Sequence, residues 1–147
     1  MQSQSHHSIR IARYFPVPPQ DVWRAWTDPN LVKTWFGSDP NGIVLTASID
    51  LHIGGGFEVT FCNSDGTQYT CAGEYKEIAS YQRLVFTWTW KDRPEIFELV
   101  TILFQSEGNG TLMIFEHAHI DGGTTHNYEV GWNSTFEKLA RTLKSEN

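Results

Sequence analysis

Residues Tyr128, Trp132, Phe136, Leu139 and Leu143 recur at helical spacing, with Glu129, Asn133, Glu137, Lys138 and Arg141 between them. Steps of three and four gather the apolar side chains on one stripe of a long helix and turn the polar ones to solvent. A helix of this kind has to bury its stripe against another element. What precedes it reads as a run of strands, so the only partner large enough is a sheet.

The rest of the chain supplies that sheet. Residues 8–15 alternate, with Ile9, Ile11, Arg13 and Phe15 on one side. Pro16, Pro18 and Pro19 end this strand, because proline cannot donate to a ladder. Pro19 suits the start of a helix carrying Val22, Trp23 and Trp26 on one face. Asp28 and Pro29 begin a second short helix, whose apolar side is Leu31, Val32, Trp35 and Phe36 and which Gly37 ends. Strands are then expected over residues 44–51, 57–62, 67–78, 83–90, 96–105 and 111–120. Asn63-Ser64-Asp65-Gly66 and Glu107-Gly108-Asn109-Gly110 are hairpin turns by composition. Short polar turns between sequential strands imply an antiparallel meander. Gly54-Gly55-Gly56 lies between two strands, which makes it a turn or bulge and not a phosphate loop. The order predicts an α+β class: a curved antiparallel sheet wrapped around a long C-terminal helix, with two short helices after the first strand. Residues 1–7 are expected to be loose and residues 8–145 to form one domain.

Charge narrows the function. The formal net charge is −6 with only 11 Lys and Arg in 147 residues, and no stretch concentrates them. That argues against a nucleic-acid partner. No apolar run reaches the roughly 18 residues of a membrane span. The opening MQSQSHHSIR lacks the basic-then-apolar layout of a secretory signal, so a cytoplasmic location is expected. Cys62 and Cys71 fall on facing strands of one hairpin, where a disulfide is conceivable but two buried thiols are the plainer reading. No nucleophile elbow, zinc-protease motif or redox pair is present, and neither a cofactor nor a metal is expected.

Six Trp, nine Phe and five Tyr are compatible with a large core or with a lined pocket. Phe86, Trp88 and Trp90 alternate and share one face of their strand. Met113, Phe115, His117 and His119 share one face of the last strand, with Leu112, Ile114 and Glu116 on the other. His117 is open to three readings: a satisfied core histidine, a polar contact for a ligand, or a proton-transfer group. His117 and His119 also have the spacing of a strand-borne metal pair, but zinc needs about four ligands and only His52 and His126 are spare inside the fold. Leu112 and Ile114 stand where alternation calls for polar residues, which points to a homodimer contact or to cover by the N-terminal arm.

Several strings in this order resemble a known superfamily: VWRAWTDPNLVKTWFG at 22–37, DLHIGGGF at 50–57, RLVFTWTW at 83–90, GTLMIFEH at 110–117 and GWNSTFEKLARTL at 131–143. The chain resembles the START-like (SRPBCC, Bet v-like) helix-grip superfamily, and within it the branch of activator of heat-shock-protein-90 ATPase homologues. Family members often carry a basic residue where this chain has His52. The chaperone activators also have a separate N-terminal domain, whereas this chain starts at the first strand, so a full cochaperone role is not expected. The resemblance implies a cavity between sheet and last helix, with the histidine face of the last strand turned inward. The walls are expected to include Trp88, Trp90, Phe115 and Trp132, with His117 as the polar contact for a small hydrophobic molecule. Two other functions are kept: a polyketide cyclase or aromatase in which His117, Glu98 or Tyr75 moves protons, and a chaperone-interacting module.

Overall fold

All five residues of the C-terminal stripe are buried, and Phe136 and Leu139 are fully enclosed. They lie on one helix that covers the inner face of a seven-stranded antiparallel sheet. A computed structural model describes residues 7–121, 124 and 126–146 of the chain. The order is β1 (His7–Phe15), α1 (Pro19–Thr27), α2 (Pro29–Val32), β2 (Ile43–Ile49), β3 (Gly56–Cys62), β4 (Gln68–Ala79), β5 (Arg83–Trp90), β6 (Glu98–Glu107), β7 (Gly110–Ile120) and α3 (Tyr128–Glu146). Spatially the strands run β1-β7-β6-β5-β4-β3-β2. The meander is therefore complete from β2 to β7, and β1 returns to pair with β7. This is the helix-grip fold, with its two short helices after the first strand. The loose stretch expected at the N-terminus lies, over residues 1–6, outside the described residues, as do Gly122 and Gly123 before α3.

Local chemistry explains the entry to the fold. Pro19 opens α1, and Val22, Trp23, Ala25 and Trp26 face the core. Asp28 caps α2 by accepting from the Asn30 N–H at 2.9 Å. This helix is shorter than its apolar pattern implies: it ends at Val32, and Trp35 and Phe36 sit in the turn beyond. The Trp35 indole N–H donates to the Ala25 carbonyl at 3.0 Å, which anchors that turn against α1. Gly37 follows at φ +105°, and a Cβ there would meet the Phe61 ring at 3.1 Å, so both backbone and space call for glycine.

The segment from Lys33 to Gly42 is tied down on two sides. The Ser134 hydroxyl of α3 donates to the Ser38 carbonyl at 2.6 Å, and Lys138 Nζ to the Asp39 carbonyl at 2.8 Å. The Asp39 carboxylate accepts from the Ser64 N–H at 2.7 Å in the β3–β4 turn.

One expectation is corrected. Alternation along β7 slips at its end, where Ile9 pairs with His117 but His7 pairs with Ile120. The slip is a β-bulge with His119 at φ +58°, and it turns His119 to solvent while Ile120 becomes buried. His117 and His119 therefore do not share a face, and the metal pair is not formed. The cysteines do lie on the facing strands β3 and β4, but not opposite each other: Cys62 pairs with Gln68 and Cys71 with Val59, and both are free thiols, Cys71 buried and Cys62 half-buried. Burial pushes the Cys71 thiol well above its ordinary range.

Candidate functional site

Where α3 begins, helix and sheet diverge around a partly open cavity of about 140 Å³. Phe61 of β3 and Tyr69 of β4 stand opposite each other in register and supply one wall. Trp88 and Trp90 of β5 supply the floor, and Tyr128 and Trp132 of α3 the facing wall. His126, just before α3, lies flat on Trp90 with ring centroids 4.3 Å apart and planes 17° from parallel. Phe36 closes one side from the turn after α2, stacked on Trp88 at 6.0 Å. Ser38, Asn63, Asn127 and Thr135 bring polar atoms to the rim. Burial holds His126 below the usual imidazole range, against the pull of Asp92 and Glu98, so it presents a neutral ring.

Behind this wall runs a chain of hydrogen bonds. The Trp132 indole N–H donates to His117 Nδ1 at 3.0 Å. An indole nitrogen can only donate, so Nδ1 must be the acceptor and the ring proton sits on Nε2. Nε2–H then donates to Glu98 Oε1 at 2.8 Å. Glu98 Oε2 accepts from the Asp121 N–H at 3.3 Å. The Tyr128 hydroxyl accepts from the Trp90 indole at 2.7 Å and also interacts with the Glu98 carboxylate. Burial would raise the Glu98 carboxyl, but the His117, Tyr128 and Asp121 donors outweigh it and hold it below its ordinary value. Burial lowers His117, against the opposing pull of Glu98. The pair is an ionised carboxylate beside a neutral imidazole.

The expected site residues divide accordingly. Trp88, Trp90 and Trp132 meet at the cavity, with Trp88 5.3 Å from each of the other two rings. Phe115 and His117 do not reach it. Trp132 covers Phe115 at 4.6 Å, and His117 is fully enclosed with both ring nitrogens engaged. Alternation put both on the inner face, but α3 packs too closely there to leave space. Tyr75 is buried beside a different, inner cavity. Tyr128 was visible as the first member of the helical stripe; Phe61 and Tyr69 were not singled out, although they lie on the two strands that flank the Asn63-Ser64-Asp65-Gly66 turn. His126 lies in a segment with no period, so the sequence marked it only as a spare histidine and not as a cavity wall. Among the described residues, no three His, Cys, Asp or Glu side chains gather as a metal site.

Residues 16–144 match the family model described as activator of Hsp90 ATPase homolog 1-like protein. The chain belongs to this family. Solved structures agree with that fold. Protein NE0264 from Nitrosomonas europaea is 26% identical with a TM-score of 0.81, over 95% of this chain and 96% of that one. The AHSA1-like protein from Aeromonas hydrophila is 21% identical with a TM-score of 0.79, over 95% and 93%. CalU16 from Micromonospora echinospora is 26% identical with a TM-score of 0.65, over 96% of this chain and 78% of that one. No curated protein matches at a significant level. No helix among the described residues is long and apolar enough to cross a membrane.

Proposed function

We propose that this member of the family binds, in the cytoplasm, a small apolar molecule about the size of one aromatic ring. The observation that carries the reading is the 140 Å³ cavity walled by Phe61, Tyr69, Trp88, Trp90, Tyr128 and Trp132. Drug-sized ligands occupy roughly 300–1,000 Å³, while a dry cavity of about 150 Å³ suffices for benzene. The deeper walls are aromatic, and Ser38, Asn63, Asn127 and Thr135 place polar atoms at the rim, an apolar site with polar groups to orient a ligand. Proton-transfer chemistry is not favoured, because His117 and Glu98 spend their polar atoms on each other, on Trp132, on Tyr128 and on Asp121. Titration with toluene, indole and phenol tests the proposal. Binding should quench Trp fluorescence and raise Tm with ligand concentration. No quenching and no Tm shift at millimolar ligand would overturn it.

A second reading, an interaction module, draws on the exposed apolar residues of the edge strand β2 and the turn after it. Ile43 and Ile53 are each 61% exposed, and Leu45 and Leu51 are exposed to 40% and 37%. Loss of solution self-association or partner binding in Ile43→Lys, with the ligand titration unchanged, would favour it. The homodimer expected through Leu112 and Ile114 is kept on the same footing. Both are half-buried on the outer face, beside Tyr14 and Ala12 of β1. Sedimentation across a wide concentration range decides it, and a strict monomer would discard it.

A further inference from the structure

Positive charge is scarce in this chain, and most of it is paired. Of the 11 Lys and Arg, Arg13, Arg24, Lys76, Arg83, Lys91 and Arg93 each pair with a carboxylate. The others, Arg10, Lys33, Lys138, Arg141 and Lys144, form no ion pair among the described residues. Lys33, Lys138 and Arg141 wall one groove of about 470 Å³, between the end of α2, the start of β2 and the second half of α3. It is separate from the aromatic cavity and shares only Phe36 with it. No Asp or Glu lines it, and Leu31, Trp35, Phe36, Pro40 and Val44 supply apolar surface. Asp39, beside the groove, turns its carboxylate to the Asn41 and Ser64 N–H groups at 2.9 and 2.7 Å and offers Lys138 a carbonyl instead. Burial disfavours the Lys138 charge, Asp39 supports it and Arg141 repels it. Lys138 and Arg141 are neighbours on one helix face, where like charges destabilise. Two ties hold the groove's walls together: Lys138 to the Asp39 carbonyl, and the Thr142 hydroxyl to Thr34 Oγ1 at 2.8 Å, whose own proton goes to the Leu31 carbonyl at 2.7 Å.

We propose that this groove binds a small organic phosphate monoester, its apolar body on the groove's apolar surface and its phosphate in the positive field of Lys33, Lys138 and Arg141. The site is independent of the aromatic cavity and does not rest on the reading above. Charge attraction reaches about 8 Å at physiological salt, so cations around one groove draw in an anion without converging on a single atom. A carboxylate brings one negative charge, whereas a phosphate monoester brings nearly two and three strong acceptor oxygens. That is the closer match to three cations with no acid among them. Inorganic phosphate would leave the apolar surface unused. A nucleic acid needs far more basic surface than a chain of net charge −6 offers. The volume also falls in the range of roughly 300–1,000 Å³ that small-molecule sites occupy.

The test titrates 1-naphthyl phosphate, 1-naphthol and inorganic phosphate by calorimetry into the full chain and into the double variant Lys33→Gln with Arg141→Gln. Both side chains are exposed and neither lines the aromatic cavity, so the variant leaves that cavity and the Lys138 tie in place. The ester should bind roughly tenfold or more tighter than either of the other probes, and lose roughly tenfold in the double variant while 1-naphthol is unchanged. Its binding should also weaken steadily as sodium chloride is added, a readout that stands even where the double variant fails to fold. Toluene binding in the aromatic cavity should be the same in both chains. Equal affinity for the ester and 1-naphthol, or for the ester and inorganic phosphate, overturns the inference. So does ester binding that ignores salt or the double substitution. No binding of the ester at millimolar concentration also overturns it, and leaves the aromatic-cavity reading intact.

Discussion

Trp132 gives its indole proton to His117 at 3.0 Å, and this one contact sets the tautomer of a histidine buried between β6, β7 and α3. It also makes protonation of His117 unfavourable, since a second N–H at Nδ1 would point at the indole N–H. Packing and hydrogen bonding are thus joined in one side chain, and substitutions can separate them. Trp132→Ala removes a buried ring and should cost about 3–5 kcal/mol. Trp132→Phe keeps an aromatic body and leaves only Nδ1 unpaired, for about 1–3 kcal/mol. Urea unfolding of the two variants measures both values, and equal costs would show that the hydrogen bond dominates.

The same contact gives the fold a pH dependence with a definite sign. His117 and His126 are both held below their unfolded value of about 6.5. A group with a depressed folded pKa binds its proton more readily in the unfolded chain, so its contribution is complete above the unfolded pKa and is lost as pH falls. Stability should therefore decline from near pH 7 downward. A second loss should begin near pH 4.5, where Glu98 takes up a proton in the unfolded chain but, held below its ordinary value, resists it in the folded one. In His117→Gln the decline between pH 7 and 5 should shrink to the part His126 supplies. Tm measured at half-unit pH steps checks this, and a profile flat from pH 7 to 5 in the natural chain would refute it.

Much of this arrangement was legible in the sequence, and the gaps have physical causes. The period of Tyr128, Trp132, Phe136, Leu139 and Leu143 found α3 because only one stripe of that helix is buried. Alternation found the inner faces of β5 and β7 for the same reason. Alternation reports a face but not a depth, so Phe115 and His117 looked like Trp88 although α3 seals them off. The His119 bulge left no mark, because a non-glycine residue at φ +58° has no compositional signature. Glu98 was visible as a residue but not as the partner of His117, since that depends on the register of β6 against β7. The turn holding Phe36 read as helix because its apolar spacing continued past Val32.

Tyr128 connects the cavity wall to the buried network, and removing its hydroxyl should be felt in both. Tyr128→Phe leaves the Trp90 indole without its acceptor and takes one interaction from Glu98. A loss of about 1–3 kcal/mol is expected for groups left unsatisfied in a mostly buried setting. The ring itself remains, so the aromatic wall survives. Trp90 emission should change even without ligand. A Tm equal to that of the natural chain would mean that water replaces the hydroxyl without cost.

Among the described glycines, Gly73 is the one where an added Cβ would press hardest on its surroundings. It lies in β4, paired with Phe57 of β3, at a place where β4 and β5 come unusually close. A Cβ at residue 73 would stand 1.8 Å from the Thr87 carbonyl oxygen and 2.6 Å from Phe57 Cε1. The first contact is with backbone, so no rotamer change can relieve it, and the strands themselves would have to separate. Thr87 reinforces that closeness by accepting, through its hydroxyl, the Glu74 N–H at 2.9 Å. Parting the strands here would disturb Phe57, Phe86 and Trp88, whose rings pack around the inner cavity. Gly73→Ala should therefore destabilise by more than the roughly 1–3 kcal/mol of ordinary overpacking. Gly66→Ala is the comparison: Gly66 is at φ +92° in an open turn with nothing within 4 Å, so its cost is backbone strain alone. That substitution should cost about 1 kcal/mol. Chemical unfolding of both variants decides the matter, and a Gly73→Ala loss no larger than that of Gly66→Ala would show that β4 and β5 can part without penalty.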